Sequence, residues 1–384
     1  MGPGTLARII RPVTPLCVAA LALGGCASPS AAVPSPSVAV PPPSAIASTA
    51  PPATPARVTP APATAVAPSP TTTAVTVTRD VRFASSVPDV AQWSDPLLDV
   101  YAPAGARGLP LVVMFPPHSL TKDVAGDFTQ LATAVAEGGA VAVVANWTQL
   151  DDPPAVFEDA AALEQLAGLD ESVMGCAVSY AVAHAADYGA DPSRLVLLGE
   201  LYGGNFASKV ALGKPGHLAG CNATAEWKAT GLVGWDADWL AQMPAWDGLG
   251  KDAARAVAAV SPWPSLAKAP KIPVELVVSD AARAATGRCD DRDAAWMVAR
   301  DPTGAMRARL DEVGAYADGC QDAGDAAKAT AAEMQALGIP AEVVALTDKT
   351  TSADAGGHIE QLGATDLATL AQTVLKAAGV APAP

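Results

Sequence analysis

The chain is short of positive charge, of aromatic side chains and of histidine. Its 384 residues carry 24 Lys and Arg against 39 Asp and Glu, a net charge of −15, with 5% aromatic residues and four histidines. A protein that grips phosphates needs a basic face, so nucleic acid is excluded as a partner. A polybasic reader of anionic membrane is excluded on the same ground. His118, His184, His217 and His358 are scattered, with no two histidines at i,i+4. There is no CxxC either, so neither metal catalysis nor a structural zinc site has a ligand set, and no cofactor is expected. No apolar run is long enough to span about 30 Å of hydrocarbon.

The first 26 residues have another use. Arg8 and Arg11 precede the apolar stretch Leu16–Leu23, which closes on Leu23-Gly24-Gly25-Cys26. A short cationic segment, a short apolar segment and small residues before a cut make a signal peptide, here residues 1–25. Its end resembles the lipobox of bacterial lipoproteins. That resemblance implies a diacylglyceryl group on Cys26, a mature chain anchored to a membrane on its extracytoplasmic face, and a remaining 22 basic against 39 acidic side chains.

Residues 27–72 contain 13 of the 35 prolines, one charge (Arg57) and no aromatic residue. Such a segment cannot bury enough surface to offset its chain entropy. Residues 26–73 therefore read as a lipidated cysteine and a tether, extended as polyproline II and able to reach roughly 140 Å.

From residue 74 the texture changes. Leu111–Phe115, Ala140–Ala145, Leu195–Leu198, Val274–Val278 and Val343–Leu346 are apolar throughout, as strands buried on both faces of a parallel sheet are. Between them, 125–138, 155–188, 203–212, 323–337 and 359–377 read as helices. Ile359, Leu362, Leu367, Leu370 and Val374 form a core-facing stripe on the last. Strand–helix alternation over 74–384 gives an α/β domain, a doubly wound, mostly parallel sheet of about eight strands flanked by helices. An acidic stretch, 281–322, interrupts it as an insertion.

Four cysteines remain after the signal and Cys26: Cys176, Cys221, Cys289 and Cys320. An even number in an exported protein suggests two disulfides, with three connectivities open. Cys176–Cys221 with Cys289–Cys320 is preferred because each staples one sequence-local excursion.

The stretch from Tyr188-Gly189-Ala190-Asp191-Pro192 through Leu195–Leu198 to Gly199-Glu200-Leu201-Tyr202-Gly203-Gly204 resembles the α/β-hydrolases of the esterase/lipase type. There a helix ends, a strand follows, and a Gly-x-Ser-x-Gly-Gly nucleophile elbow opens the next helix. The resemblance implies the same fold over roughly 75–380, with Leu109–Pro117 as strand and oxyanion loop, Asp280 near the acid, and His358 as a base opening the last helix. It also implies departures. Leu201 takes the nucleophile slot, and an isobutyl group has neither lone pair nor proton to transfer. Losing a triad serine costs roughly 10⁶ in kcat. Pro116-Pro117-His118-Ser119 stands where the family has His-Gly-Gly-Gly, and proline has no N–H to offer an oxyanion. Asp280 comes two or three residues early.

Five of the eight tryptophans fall between 227 and 263. With Tyr202, three of them (Trp235, Trp239 and Trp263) are candidates to line a pocket, or else to pack the sheet edge. Three readings follow. The first is a lipid-anchored α/β-hydrolase-like protein that has lost catalysis and binds a hydrophobic small molecule or an envelope protein. The second is an active carboxylesterase or lipase using an unrecognised nucleophile. The third is a protein that assembles with an active paralogue through 281–322.

Overall fold

The computed structural model describes residues 73–87, 95–117, 120–147, 160–213, 218–237, 263–281, 316–317, 320–321, 323–353 and 358–381. Cys26, the tether, His118, Trp239, Cys289 and most of 281–322 lie outside them, as do the side chains of Trp263 and Cys320.

Eight strands form the main sheet: β1 (Val75–Arg82), β2 (Leu97–Pro103), β3 (Leu109–Phe115), β4 (Val141–Ala145), β5 (Ala190–Glu200), β6 (Ala229–Trp235), β7 (Val274–Ser279) and β8 (Ala341–Leu346). Their order is β1-β2-β4-β3-β5-β6-β7-β8. The pairs β1–β2 and β2–β4 are antiparallel, and every pair from β4 through β8 is parallel. The helices are α1 (Gly126–Glu137), α2 (Ala160–Ala183), α3 (Tyr202–Leu212), α4 (Ala323–Ala336) and α5 (Ala364–Ala377). This is the eight-stranded, mostly parallel, helix-flanked sheet of an α/β-hydrolase fold, as the sequence leads one to expect.

Side chains alternate across a strand, so a strand covered on both faces must be apolar at every position. Leu111, Val113, Val143, Leu195, Leu197, Leu232 and Leu276 pack on one side with α2, α3 and α4. Val112, Met114, Val144, Val196, Leu198, Val233, Trp235 and Val277 pack on the other with α1 and α5. One polar exception is Glu275 in β7, buried beside Lys376 of α5 at 3.0 Å, which also reaches Glu342 of β8 at 2.7 Å. Burial holds the Glu275 carboxyl above the usual range, and Lys376 offsets part of that.

The last helix differs from expectation. α5 begins at Ala364, and Ile359–Gln361 is instead a short strand pairing Ser352–Ala353 in a separate two-stranded sheet. Ile359 and Leu362 are buried as the stripe required, but from extended chain. Gly363 explains the boundary: a Cβ there would lie 2.3 Å from Thr350 Oγ1 and 2.4 Å from the Asp348 carboxyl, so the backbone turns into the helix at a point with no room for a side chain. β1 departs as well. Its Arg79, Asp80 and Arg82, and an irregular register between Thr78 and Val81, suit an edge strand, which charges and bulges protect from further pairing.

Cys176 of α2 is bonded to Cys221, 45 positions further along the chain, with Cα atoms 5.3 Å apart. Cys221 bridges Ala84, while Asn222 N–H donates to Phe83 O and Ser85 N–H to Gly220 O. The bond thus ties α2 to the chain leaving β1. A closed loop of that length restricts the unfolded state by about 4 kcal/mol. Replacing both cysteines by alanine should lower unfolding free energy by roughly this amount in denaturant titration; a loss under about 1 kcal/mol would show that the segment is held by its backbone bonds alone.

Candidate functional site

The site is built where β5 turns into α3. Leu201 sits at that turn with φ 48° and ψ −122°. A leucine in this region costs on the order of 1–3 kcal/mol and persists only where the surroundings impose it. Here they do. Leu201 N–H donates to Trp235 O at 2.9 Å, and Leu201 O accepts from the N–H groups of Gly204 (2.9 Å) and Asn205 (3.1 Å). The crossing of strand and helix leaves no room for side chains: a Cβ on Gly199 would lie 2.1 Å from Gly203 O, and one on Gly203 would lie 2.6 Å from both Phe115 O and Pro116 O. Gly204 would meet Ala237 Cβ at 2.7 Å. The glycine spacing that suggested an elbow is therefore required by backbone contact, and the half-buried residue at its apex is a hydrocarbon.

Pro116 and Pro117 leave β3 beside this turn, both buried. Pro116 O accepts the indole N–H of Trp147 at 2.7 Å, and Trp147 packs on Phe206 of α3 with centroids 5.4 Å apart. Lys122 then fixes the chain between Pro117 and α1. Its N–H donates to Asn146 Oδ1 at 2.8 Å, and its buried ammonium reaches Asp80 and Asp123 at 2.7 Å and the equally buried Asp99 at 3.0 Å. Burial alone would lower the Lys122 pKa; the three carboxylates outweigh it and hold it above the ordinary value.

His358 does not open the last helix. It precedes the strand Ile359–Gln361, half-buried, six residues before α5. Two buried carboxyls attach its segment to the domain: Glu200 Oε1 accepts Ile359 N–H at 3.1 Å and Asp127 Oδ1 accepts Leu362 N–H at 3.2 Å. Glu200 adjoins Leu201 and Ile359 adjoins His358, so the Glu200–Ile359 bond ties the segment that carries His358 to the C-terminal end of β5. Glu200 shares the strand parity of Val196 and Leu198, and so points to the α1–α5 side, behind the turn rather than out from it. Further back, Asp366 accepts from Thr347 N–H, Asp348 N–H and the Thr351 hydroxyl, at 2.8, 3.0 and 2.7 Å. The N–H groups of Thr350 and Thr365 hold the Asp348 carboxyl down at about 2.

Asp280, the candidate acid, is exposed just past β7. Close by, Asp236 at φ 44° accepts the N–H and hydroxyl of Ser279 at 2.7 and 2.6 Å, and donates its own N–H to Val277 O. Tyr202 is half-buried as the first residue of α3, whereas Trp235 is wholly buried in the core, 5.8 Å from the Phe128 ring. Sequence reasoning missed Asp127, Lys122, Asp236 and Asp366, and gave Glu200 no role. Asp127 and Asp366 left a trace, each as an acid in a first helical turn.

No protein-family model matches the chain, and no curated protein sequence does. Among solved structures it is similar to esterase B of Lactobacillus rhamnosis, at 11% identity over 80% of this chain and 89% of that one, TM-score 0.45. It is also similar to esterase 2 of Thermogutta terrifontis, at 18% identity over 82% and 98%, TM-score 0.48. A third is carboxyl esterase 2 of Tuber melanosporum, at 15% identity over 83% and 89%, TM-score 0.43.

The turn makes two substitutions diagnostic. Gly203→Ala forces a methyl onto two carbonyl oxygens and should cost more than about 3 kcal/mol. Leu201→Gly exchanges relief of about 1–3 kcal/mol of strain for comparable losses of packing and chain entropy, and should stay within about 1 kcal/mol of wild type. Chemical denaturation of both variants measures the contrast; equal costs would mean that the crossing is not what fixes the turn.

Proposed function

We propose that this protein is a lipid-anchored, extracytoplasmic module that keeps the α/β-hydrolase scaffold without its hydrolytic chemistry, and binds a hydrophobic small molecule or an apolar element of an envelope protein. Leu201 carries the reading. The backbone at the β5–α3 turn is strained to present a side chain, and the side chain it presents is a hydrocarbon. Acyl transfer begins with a nucleophile activated by a neighbouring base, and leucine supplies none. The residues around it support the same conclusion. Pro116 and Pro117 have no N–H to give a developing oxyanion, and the carbonyl of Pro116 is occupied by Trp147. Glu200, the nearest carboxylate in sequence, is spent on the N–H of Ile359. An apolar apex removes the penalty a serine would impose on an apolar ligand and offers dispersion contact instead. The anchor rests on Arg8, Arg11, Leu16–Leu23 and Gly24-Gly25-Cys26.

The purified protein should show neither labelling by a fluorophosphonate probe nor turnover of a short-chain aryl ester, and Leu201→Ser should restore less than about a hundredth of the rate of a typical esterase, since a missing oxyanion donor alone costs about 10²–10³. Labelling of the wild type that vanishes when one serine is replaced would establish an active ester hydrolase and reject the binding role. Intact-mass analysis of protein extracted from membranes should find a diacyl or triacyl addition at Cys26; a soluble secreted product without it would refute the anchor.

A further inference from the structure

The segment His358–Gly363 belongs to no strand of the main sheet. It pairs only with Ser352–Ala353, in a two-stranded sheet of its own, and lies over the apolar cluster that contains Phe128, Trp235, Ile359 and Leu362. Three of its amides are held by side chains rather than by the main sheet: Ile359 by Glu200, Leu362 by Asp127, and Gly363 by the Thr351 hydroxyl. Asp127 is the odd partner. It is 3% exposed in the first turn of α1; Oδ1 accepts the Leu362 N–H, and Oδ2 is buried with no hydrogen-bond partner among the described residues.

The charged and titratable groups around it are engaged elsewhere. On α5, Asp366 is bonded to Thr347, Asp348 and Thr351, and Lys376 pairs with Glu275 and Glu342. On β2, Asp99 pairs with Arg79 and Lys122, and Tyr101 is buried in the core. On β1, Asp80 pairs with Lys122 and Arg82 with Asp95; β4 has no titratable side chain. Glu137 ends α1 itself, and Glu360 is exposed on the far side of its short strand. Glu200 and His358 flank the segment. Among the described residues no cation is bonded to Asp127.

We propose that Asp127 makes His358–Gly363 a proton-tightened flap, closed most firmly when the buried carboxyl is neutral and loosened as it ionises. Burial raises the pKa of Asp127, and the Leu362 N–H opposes that only in part. Lifting the flap admits water to the carboxyl and returns it to the ordinary range near 3.9. The closed form therefore holds the proton more tightly than the open one. Closure is strongest below the ordinary range, weakens as pH rises towards the raised value, and is constant above it. Each unit between the two values is tenfold in the closing equilibrium. The flap carries His358 with it, and the device operates whether or not the site takes a ligand.

Amide hydrogen exchange of Ile359 and Leu362 in the full chain, corrected for the intrinsic pH dependence of exchange, tests this between pH 3.5 and 8. Wild type should lose at least about threefold in protection across the range, whereas Asp127→Asn, whose amide oxygen still accepts the Leu362 N–H, should give a flat profile. A flat wild-type profile, or an unchanged slope in the variant, would overturn the proposal. Should Asp127→Asn fail to fold, carboxyl-carbon NMR of wild type decides it: titration of Asp127 in the ordinary aspartate range refutes the flap, and titration above it together with the wild-type slope upholds it.

Discussion

The crossing of β5 by α3 is the constraint on which the rest of the site depends. Gly199, Gly203 and Gly204 bring two pieces of backbone to distances that a methyl group cannot share. Once they are that close, the residue between strand and helix has almost no conformational choice, and Leu201 takes φ 48° because its N–H must reach Trp235 O while its carbonyl caps α3. Strain of this kind is usually retained because the side chain at the apex does something. Here the scaffold supplies the strained position and the sequence fills it with an isobutyl group. The stability the protein forgoes at Leu201 is set by architecture, and relieving it by substitution would leave the glycine crossing in place.

A second principle runs through the same edge of the sheet. Most of the described backbone between β8 and α5 lies outside regular structure, so its N–H groups need acceptors. Carboxylates provide them: Asp366 and Asp348 near the helix, Asp127 and Glu200 near His358. Each bond to an ionised acceptor is stronger than a neutral one, but each buried carboxylate also carries a desolvation cost. The four divide by environment. Asp348, only half-buried and receiving several N–H groups, is stabilised as an anion, while Asp127, buried with one, is not. An acidic chain can thus organise a loop without basic residues, and part of the excess negative charge noted in the sequence is used internally.

This division also explains what could be read in advance. β3, β4, β5 and β7 are legible because burial on both faces writes a continuous apolar run, and the elbow is legible because close approach writes glycine at fixed spacing. β1 is not, since an edge strand with Arg79, Asp80 and Arg82 carries no such run. The start of α5 misleads for a physical reason: Ile359 and Leu362 are buried as a helical stripe would be, but burial constrains hydropathy and not backbone conformation. The carboxylate clamps were invisible because Glu200 and Ile359 stand 159 residues apart and Asp127 and Leu362 stand 235 apart, with no local pattern to announce either pair.

Taken together, the elbow and the clamps separate two properties that catalysis normally requires in one place. Position is conserved in the backbone: the β5–α3 turn, the proline segment beside it and the His358 segment are each fixed by bonds that do not involve a reacting group. Chemistry resides in side chains, and Leu201 at the apex and Pro116-Pro117 beside it occupy their places without entering those bonds through a side-chain polar group. Leu201 makes its hydrogen bonds to Trp235, Gly204 and Asn205 through main-chain atoms, so those bonds do not depend on which side chain stands at the apex. Pro116 likewise uses only its carbonyl. A scaffold whose geometry is held this way can lose hydrolysis one side chain at a time and remain a well-formed apolar binding edge, which is why the fold alone cannot be taken to imply the reaction.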